Sequence, residues 1–276
     1  MTPLTVSTSS MDQISHQEIG LIQYEDRDFR ETTVCVLPMY HVFGMNVTMS
    51  NVLRAGGKLV TLSAFNPGPF LRTLITYRPT FLHLAPPVLN FLTTHAGVKT
   101  HHLESLRYIL VGAAPVAPAL IQRFKEKAPH VDFREGWGMS ELSPAGCFSR
   151  QGKSVIGSCG QVLPNTTMKV ISLQTGDSMP PGDNNRGELL VKGPQVMKGY
   201  LNNQEATQKT LDKDGWLRTG DMAYYDEEHN IFMVDRLKEI IKCKGYQVSP
   251  SELEDILRKN VYVKDTAVLG TKSDER

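Results

Sequence analysis

The sequence lacks most of the features that would mark a chain as anything other than globular. Neither sign of charge dominates: 30 Lys and Arg stand against 29 Asp and Glu in 276 residues, a net charge of +1. That balance excludes nucleic-acid binding by bulk attraction and any acidic or basic tail. No apolar run approaches the roughly 18 residues of a spanning helix. The four cysteines, Cys35, Cys147, Cys159 and Cys243, form no C-x-x-C pair. This argues against a zinc site or a disulfide framework and for a reducing compartment. The opening Thr- and Ser-rich residues lack the basic and apolar regions of a secretory signal, and Ser273–Arg276 is no recognised address.

What is present is ordinary globular composition, 40% hydrophobic and 21% charged, at a length that predicts two domains at roughly 150 residues each. Residues 1–30 read as a mobile lead-in followed by a helix over 15–25, where Ser15 and Glu18 have capping-box spacing. Residues 31–156 alternate apolar runs (Thr33–Leu37, Lys58–Leu62, Thr80–Leu84, Leu106–Val111) with stretches of helical spacing (Phe70–Tyr77, Pro87–Thr94, Ala117–Lys127). That order predicts an α/β fold with a mostly parallel sheet. Residues 157–234 are rich in Gly, Pro and Asn, with short strands at Met168–Ser172, Gly187–Val191 and Asn230–Val234, and read as a β-rich subdomain. In 235–276, strands at Ile240–Lys242 and Tyr246–Val248 precede a helix opened by Ser249-Pro250, and Thr266–Leu269 reads as a last strand. A unit this small buries too little apolar surface to stand alone, so the expectation is an incomplete α+β domain.

Several segments carry chemistry. Gly112, Ala113 and Ala114 follow an apolar strand, where small side chains let a ligand approach the backbone; the alternative is a plain strand-to-helix turn. In Gly136-Trp137-Gly138-Met139-Ser140-Glu141, Trp137 is either a stacking surface for a nucleobase or a core residue. Ser140 can donate to a phosphate, and Glu141 can hold Mg²⁺ or be a solvated charge. Asp221, ending Trp216–Asp221, can accept both hydroxyls of a ribose or cap its own turn. The basic residues of Asp235–Gln247 suit an exposed edge strand equally well. His41 stands at a strand exit, between Pro38-Met39-Tyr40 and Val42-Phe43-Gly44.

In this order the segments resemble the adenylate-forming family of acyl-CoA synthetases, 4-coumarate–CoA ligases and firefly luciferases, over about Glu31–Gly270. Pro38–Gly44 is similar to its substrate-gating His segment, and Gly136–Glu141 to its Y-G-x-T-E motif with Trp and Ser substituted. Gly187–Leu201, Trp216–Asp221 and Asp235–Gln247 match three further signatures.

The resemblance implies ATP-dependent adenylation of a fatty or aromatic carboxylic acid, then thioester formation with coenzyme A. Gly112, Ala113 and Ala114, with Gly136, Gly138 and Met139, would line the nucleotide and acyl pocket, and Trp137 would stack the base. Ser140 would contact the α-phosphate and Glu141 the Mg²⁺. Asp221 and Arg236 would hold the ribose, and Lys238 would be the interdomain hinge. Lys242 would serve the second half-reaction, with Lys244 and Gly245 near CoA; Phe43, Met139 and Leu142 would wall the acyl site. The family's Ser/Thr/Gly-rich phosphate loop and its C-terminal lysine have no counterpart here, which implies truncation at both ends and poor adenylation. Luciferase-like oxidation and non-catalytic nucleotide or acyl binding are the alternatives. The expected location is peroxisome or cytoplasm.

Overall fold

The computed structural model describes residues 30–243, 246–258, 260, 262–263 and 266–271. The expected helix over 15–25, Lys244 and Gly245 lie outside the described residues.

Five strands form a parallel core. β1 (Thr32–Cys35) lies between β2 (Lys58–Thr61) and β3 (Phe81–Leu84), followed outward by β4 (Tyr108–Val111) and β5 (Asp132–Gly138), all parallel. β6 (Ala145–Phe148) and β7 (Gln161–Val162) continue the same sheet antiparallel. β3 and β4 are buried at every position, as expected of strands covered on both faces. The chain runs outward from β1 to β2 and then returns to β3 on the other side. Ligands of open α/β sheets bind beyond the carboxyl ends of the strands at such a reversal.

The helices start where proline permits. α1 (Asn51–Arg54) continues a π-helical stretch, Phe43–Ser50. α2 (Pro67–Tyr77), α3 (Pro86–Thr94) and α4 (Pro118–Lys127) each begin on proline, whose missing N–H and fixed φ suit a first helical turn. Their apolar faces, Phe70 and Leu74, Leu89 and Leu92, Ile121 and Phe124, enclose the first core with Leu82, Leu84, Ile109 and Phe133.

A second sheet is antiparallel: β8 (Thr167–Ile171), β9 (Gly187–Lys192), β10 (Leu217–Tyr225) and β11 (Ile231–Arg236), in the order β11-β10-β9-β8. It has its own core, built from Val170, Leu189, Val191, Leu217 and Ile231 together with Leu142, Cys147 and Met197. A short helix, α5 (Gln204–Thr210), precedes β10 and is capped by the Asn203 side chain. Near the end, β12 (Ile241–Cys243) pairs with β13 (Tyr246–Val248), and α6 (Pro250–Arg258) follows. Ser249 caps α6 by accepting from the Glu252 N–H, and its own hydroxyl donates to Asp235 Oδ2 at 2.7 Å. Asp235 also accepts from the Ser251 N–H. Burial alone would raise the Asp235 pKa, but these hydrogen bonds outweigh it and hold the carboxyl below the usual range. Arg186 adds an ion pair to Glu252 at 2.6 Å.

The mixed α/β architecture and the antiparallel second sheet agree with the sequence reading. Thr266–Leu269 is not a strand. The Val268 N–H donates to the Glu254 side chain of α6, and the segment belongs to none of the sheets formed by the described residues. Strands β5, β6, β7 and β10 and helix α5 were not foreseen, because glycine and charge interrupt their apolar patterns.

Glu135, on β5, is 8% exposed. Burial lifts its pKa to about 7, opposed by the Gly157 N–H and the charge of Lys125. A folded-state pKa above the unfolded value gives stability that is present below about pH 4.5 and is lost as pH rises through 7. Glu135→Gln removes that loss. Between pH 5 and 8 the wild-type chain is expected to lose on the order of 3 kcal/mol relative to the variant, measurable by urea denaturation at each pH.

Candidate active site

The carboxyl ends of β1, β4 and β5 bring the separate sequence motifs to one edge. Beyond β1, the chain turns at Pro38, whose carbonyl accepts from the His41 N–H, and His41 opens the π-helical stretch. The His41 imidazole is exposed, with Nδ1 accepting from the Phe43 N–H at 3.2 Å. Phe43 itself is buried, and its ring lies 3.5 Å from where a Cβ on Gly112 would sit. It therefore supports the Gly112 turn from below.

Gly112 is buried at the end of β4, while Ala113 and Ala114 are exposed. Ala113 has φ of 73°, a left-handed conformation costing an L-residue roughly 1–2 kcal/mol. Strain of this kind persists where surrounding structure imposes it, and it concentrates at ligand sites.

At the end of β5, Trp137 sits opposite Cys147 of β6 and reaches toward the second sheet. Its indole Nε1–H donates to Asp221 Oδ2 at 3.0 Å. The ring fits because Gly146 has no side chain: a Cβ there would stand 2.5 Å from the ring. Gly138 is required for a similar reason, since its Cβ would meet the Pro144 carbonyl oxygen at 2.0 Å. Met139 then donates its N–H to that carbonyl, and Ser140, Glu141 and Leu142 form one 3₁₀ turn. Met139 is half-buried against the second core. Leu142 is fully enclosed in that core and offers no surface to a ligand, contrary to its expected place in the acyl wall.

Asp221 lies on β10 directly across from Arg236 of β11. Burial raises its pKa, partly offset by the indole hydrogen bond and by the charge of Arg236, whose Nε is 3.9 Å from Oδ1. The turn before it is held tightly. Glu188, buried on β9, pairs with Arg218 at 2.6 Å and accepts from the Gly220 N–H. Thr219 donates its hydroxyl to the Leu189 carbonyl and accepts from the Asp221 N–H. Lys238 is exposed just after β11. Lys242 lies on β12.

Glu141 completes the set. Its Oε1 accepts from the Tyr200 hydroxyl at 2.6 Å, and its backbone carbonyl accepts from the Met197 N–H. Among the described residues no group of three or more His, Cys, Asp or Glu could hold a metal ion. A single carboxylate with one oxygen available fits a Mg²⁺ that draws most of its ligands from phosphate and water.

The structure thus gathers Gly112, Ala113, Gly136, Trp137, Gly138, Ser140, Glu141, Asp221 and Arg236 around one edge. Tyr200, Glu188 and Arg218 were not assigned roles from sequence. They lie inside quoted signatures, and a tyrosine or ion-pairing residue at a glycine-flanked position was the available signal. Gly146→Ala is expected to displace the indole. It should cost about 1–3 kcal/mol and red-shift the Trp137 emission, read by fluorescence in a Trp216→Phe background.

Comparison with known proteins agrees with this geometry. The profile described as AMP-binding enzyme matches residues 6–201. The 4-coumarate–CoA ligase-like 4 of Oryza sativa subsp. japonica is 42% identical over 247 residues, covering 89% of this chain and 44% of that protein. The 4-coumarate–CoA ligase of Vanilla planifolia is 37% identical over 272 residues, 97% of this chain and 48% of that one. Among solved structures, ATP-bound MatB from Rhodopseudomonas palustris aligns with a TM-score of 0.87 at 26% identity, over 98% of this chain and 52% of that one. The chain spans about half the length of the relatives it matches. With a parallel sheet whose carboxyl edge carries the glycine-flanked Trp137 motif, and with most of its length inside the matching profile, this chain belongs to the AMP-binding enzyme family.

Proposed function

We propose that this chain carries the nucleotide-holding half of an acid–thiol ligase that activates a carboxylic acid with ATP and passes it to coenzyme A. The observation that carries the reading is the hydrogen bond from Trp137 to Asp221. It ties the end of β5 in the first sheet to a largely buried carboxylate on β10 of the second, opposite Arg236.

In the first half-reaction a substrate carboxylate oxygen bonds to the α-phosphorus of ATP. The bond to the bridging oxygen breaks, and pyrophosphate leaves with the electron pair. In the second, the CoA thiol loses its proton to solvent, its sulfur bonds to the acyl carbon, and the acyl C–O bond breaks so that AMP leaves with the electron pair. Asp221 accepts the ribose hydroxyls, steadied by Trp137 and Arg236. Gly112, Ala113 and Ala114 keep the floor open for the base and acyl group, and Ser140 donates to the α-phosphate. Glu141 would hold Mg²⁺, which when bound would neutralise the charge of the phosphates. His41, exposed beyond β1, closes over the acid. The segment that carries β12, β13 and α6 turns at Lys238, and Lys242 serves thioester formation.

The names of the plant relatives support an aromatic propenoate such as 4-coumarate as the acid. The chain is expected to bind AMP at the edge that holds Trp137 and Asp221, as read by calorimetry, and absence of AMP binding would overturn the reading.

Asp221→Asn is expected to weaken AMP binding by about 1.5–3 kcal/mol, the worth of hydrogen bonds to a charged group, as read by calorimetry. The acceptor must be ionised and its pKa is raised. AMP affinity is therefore expected to fall with acidification at a pH above the ordinary aspartate range, and Asp221→Asn is expected to abolish that dependence.

A further inference from the structure

The hydroxyl of Tyr200 is placed more firmly than a surface phenol needs to be. It donates to Glu141 Oε1 at 2.6 Å and meets the Thr210 side chain. The Tyr200 N–H donates to Thr207 Oγ1 at 2.9 Å, and Thr207 is anchored in turn on the Asn203 carbonyl. Gly199, at φ of 147°, lets the chain pass where a Cβ would stand 2.8 Å from Thr207. A second link, from the Met197 N–H to the Glu141 carbonyl at 2.8 Å, fixes the two segments against each other. Glu141 is thus held at one carboxylate oxygen and at its backbone, and Oε2 makes no hydrogen bond or ion pair to another described residue.

We propose that Tyr200 is a positioning residue that makes Glu141 a one-point ligand and thereby selects Mg²⁺ over Ca²⁺ as the cation that accompanies the nucleotide. The inference rests on the proposed function, which places the cation at Glu141. A short phenolic hydrogen bond takes up the oxygen that a chelating carboxylate would also have to offer. Ca²⁺, with six to eight ligands, commonly takes carboxylates through both oxygens, whereas Mg²⁺ uses single carboxylate oxygens with phosphate and water in a rigid octahedron. Removing the phenol frees Oε1 for chelation and releases the torsion that aims Oε2.

The test measures ATP binding to the purified chain in saturating Mg²⁺ and in saturating Ca²⁺, and AMP binding without cation. Tyr200→Phe is expected to lower ATP affinity in Mg²⁺ by about tenfold or more, as loss of a hydrogen bond to a metal ligand does. Affinity in Ca²⁺ should hold or rise, and AMP binding should stay unchanged. Thr207→Val, which loosens the Tyr200 backbone but keeps its hydroxyl, is expected to shift the ratio in the same direction, and it serves if the first variant unfolds. Equal loss with both cations, or an unchanged ratio, overturns the proposal. Glu141→Gln separates the two levels. If it leaves the Mg²⁺ dependence intact, the cation is not at Glu141 and both readings fall. If it abolishes the dependence while Tyr200→Phe leaves the ratio unchanged, only the selectivity role falls.

Discussion

One hydrogen bond, from the indole of Trp137 to the carboxylate of Asp221, is the constraint around which the site is arranged. The two residues are 84 positions apart and belong to different sheets with different cores. Meeting at 3.0 Å requires that β5 end where it does and that Gly146 leave room for the ring. The Gly220 turn must also be rigid. The Glu188–Arg218 pair and the Thr219 bonds supply that rigidity. Arg218 is half-exposed, so the ion pair alone contributes little. Its effect comes from acting with three backbone-directed hydrogen bonds on one short turn.

The electrostatics of the site follow from this packing. Asp221 is enclosed enough for burial to dominate its pKa, yet it retains a donor on one oxygen and a cation near the other. Glu141, a few residues along the chain from Trp137, is instead oriented by a neutral phenol. The two carboxylates of the edge are therefore steadied by different means. Asp221, proposed to accept sugar hydroxyls, is held by an indole and a guanidinium. Glu141, proposed to hold a cation, has no cationic side chain paired with it among the described residues, which suits each to its proposed ligand.

Much of the architecture was legible in the sequence because it is written in local patterns. Buried parallel strands such as Phe81–Leu84 and Tyr108–Val111 are unbroken apolar runs, and proline marks the starts of α2, α3 and α4. β5 was harder to see. Asp132–Gly138 carries Asp, Arg, Glu and two glycines, and it is a strand only because β4 and β6 pair with it on either side. Thr266–Leu269 shows the converse, a strand-like run that is not assigned as a strand and bonds instead to side chains of α6. The site motifs were readable as clusters of chemistry, but their mutual geometry was not. Nothing in the spacing of residues 137 and 221, or of 141 and 200, says that they touch. Those pairs are set by tertiary packing, in which glycine matters for the space it leaves and not for its turn propensity.

The bond from Ser249 to Asp235 closes a loop of 14 residues that contains Lys238, β12 and β13. It acts as a clasp, worth about 1.5–3 kcal/mol for a charge-assisted pair. Any motion that carries α6 away from the second sheet begins by opening it and the Arg186–Glu252 contact. Both closures are polar, so the hold on α6 depends on salt and acidity as well as on packing: screening weakens the exposed Arg186–Glu252 pair, and protonation of Asp235 removes the charge that Ser249 bonds.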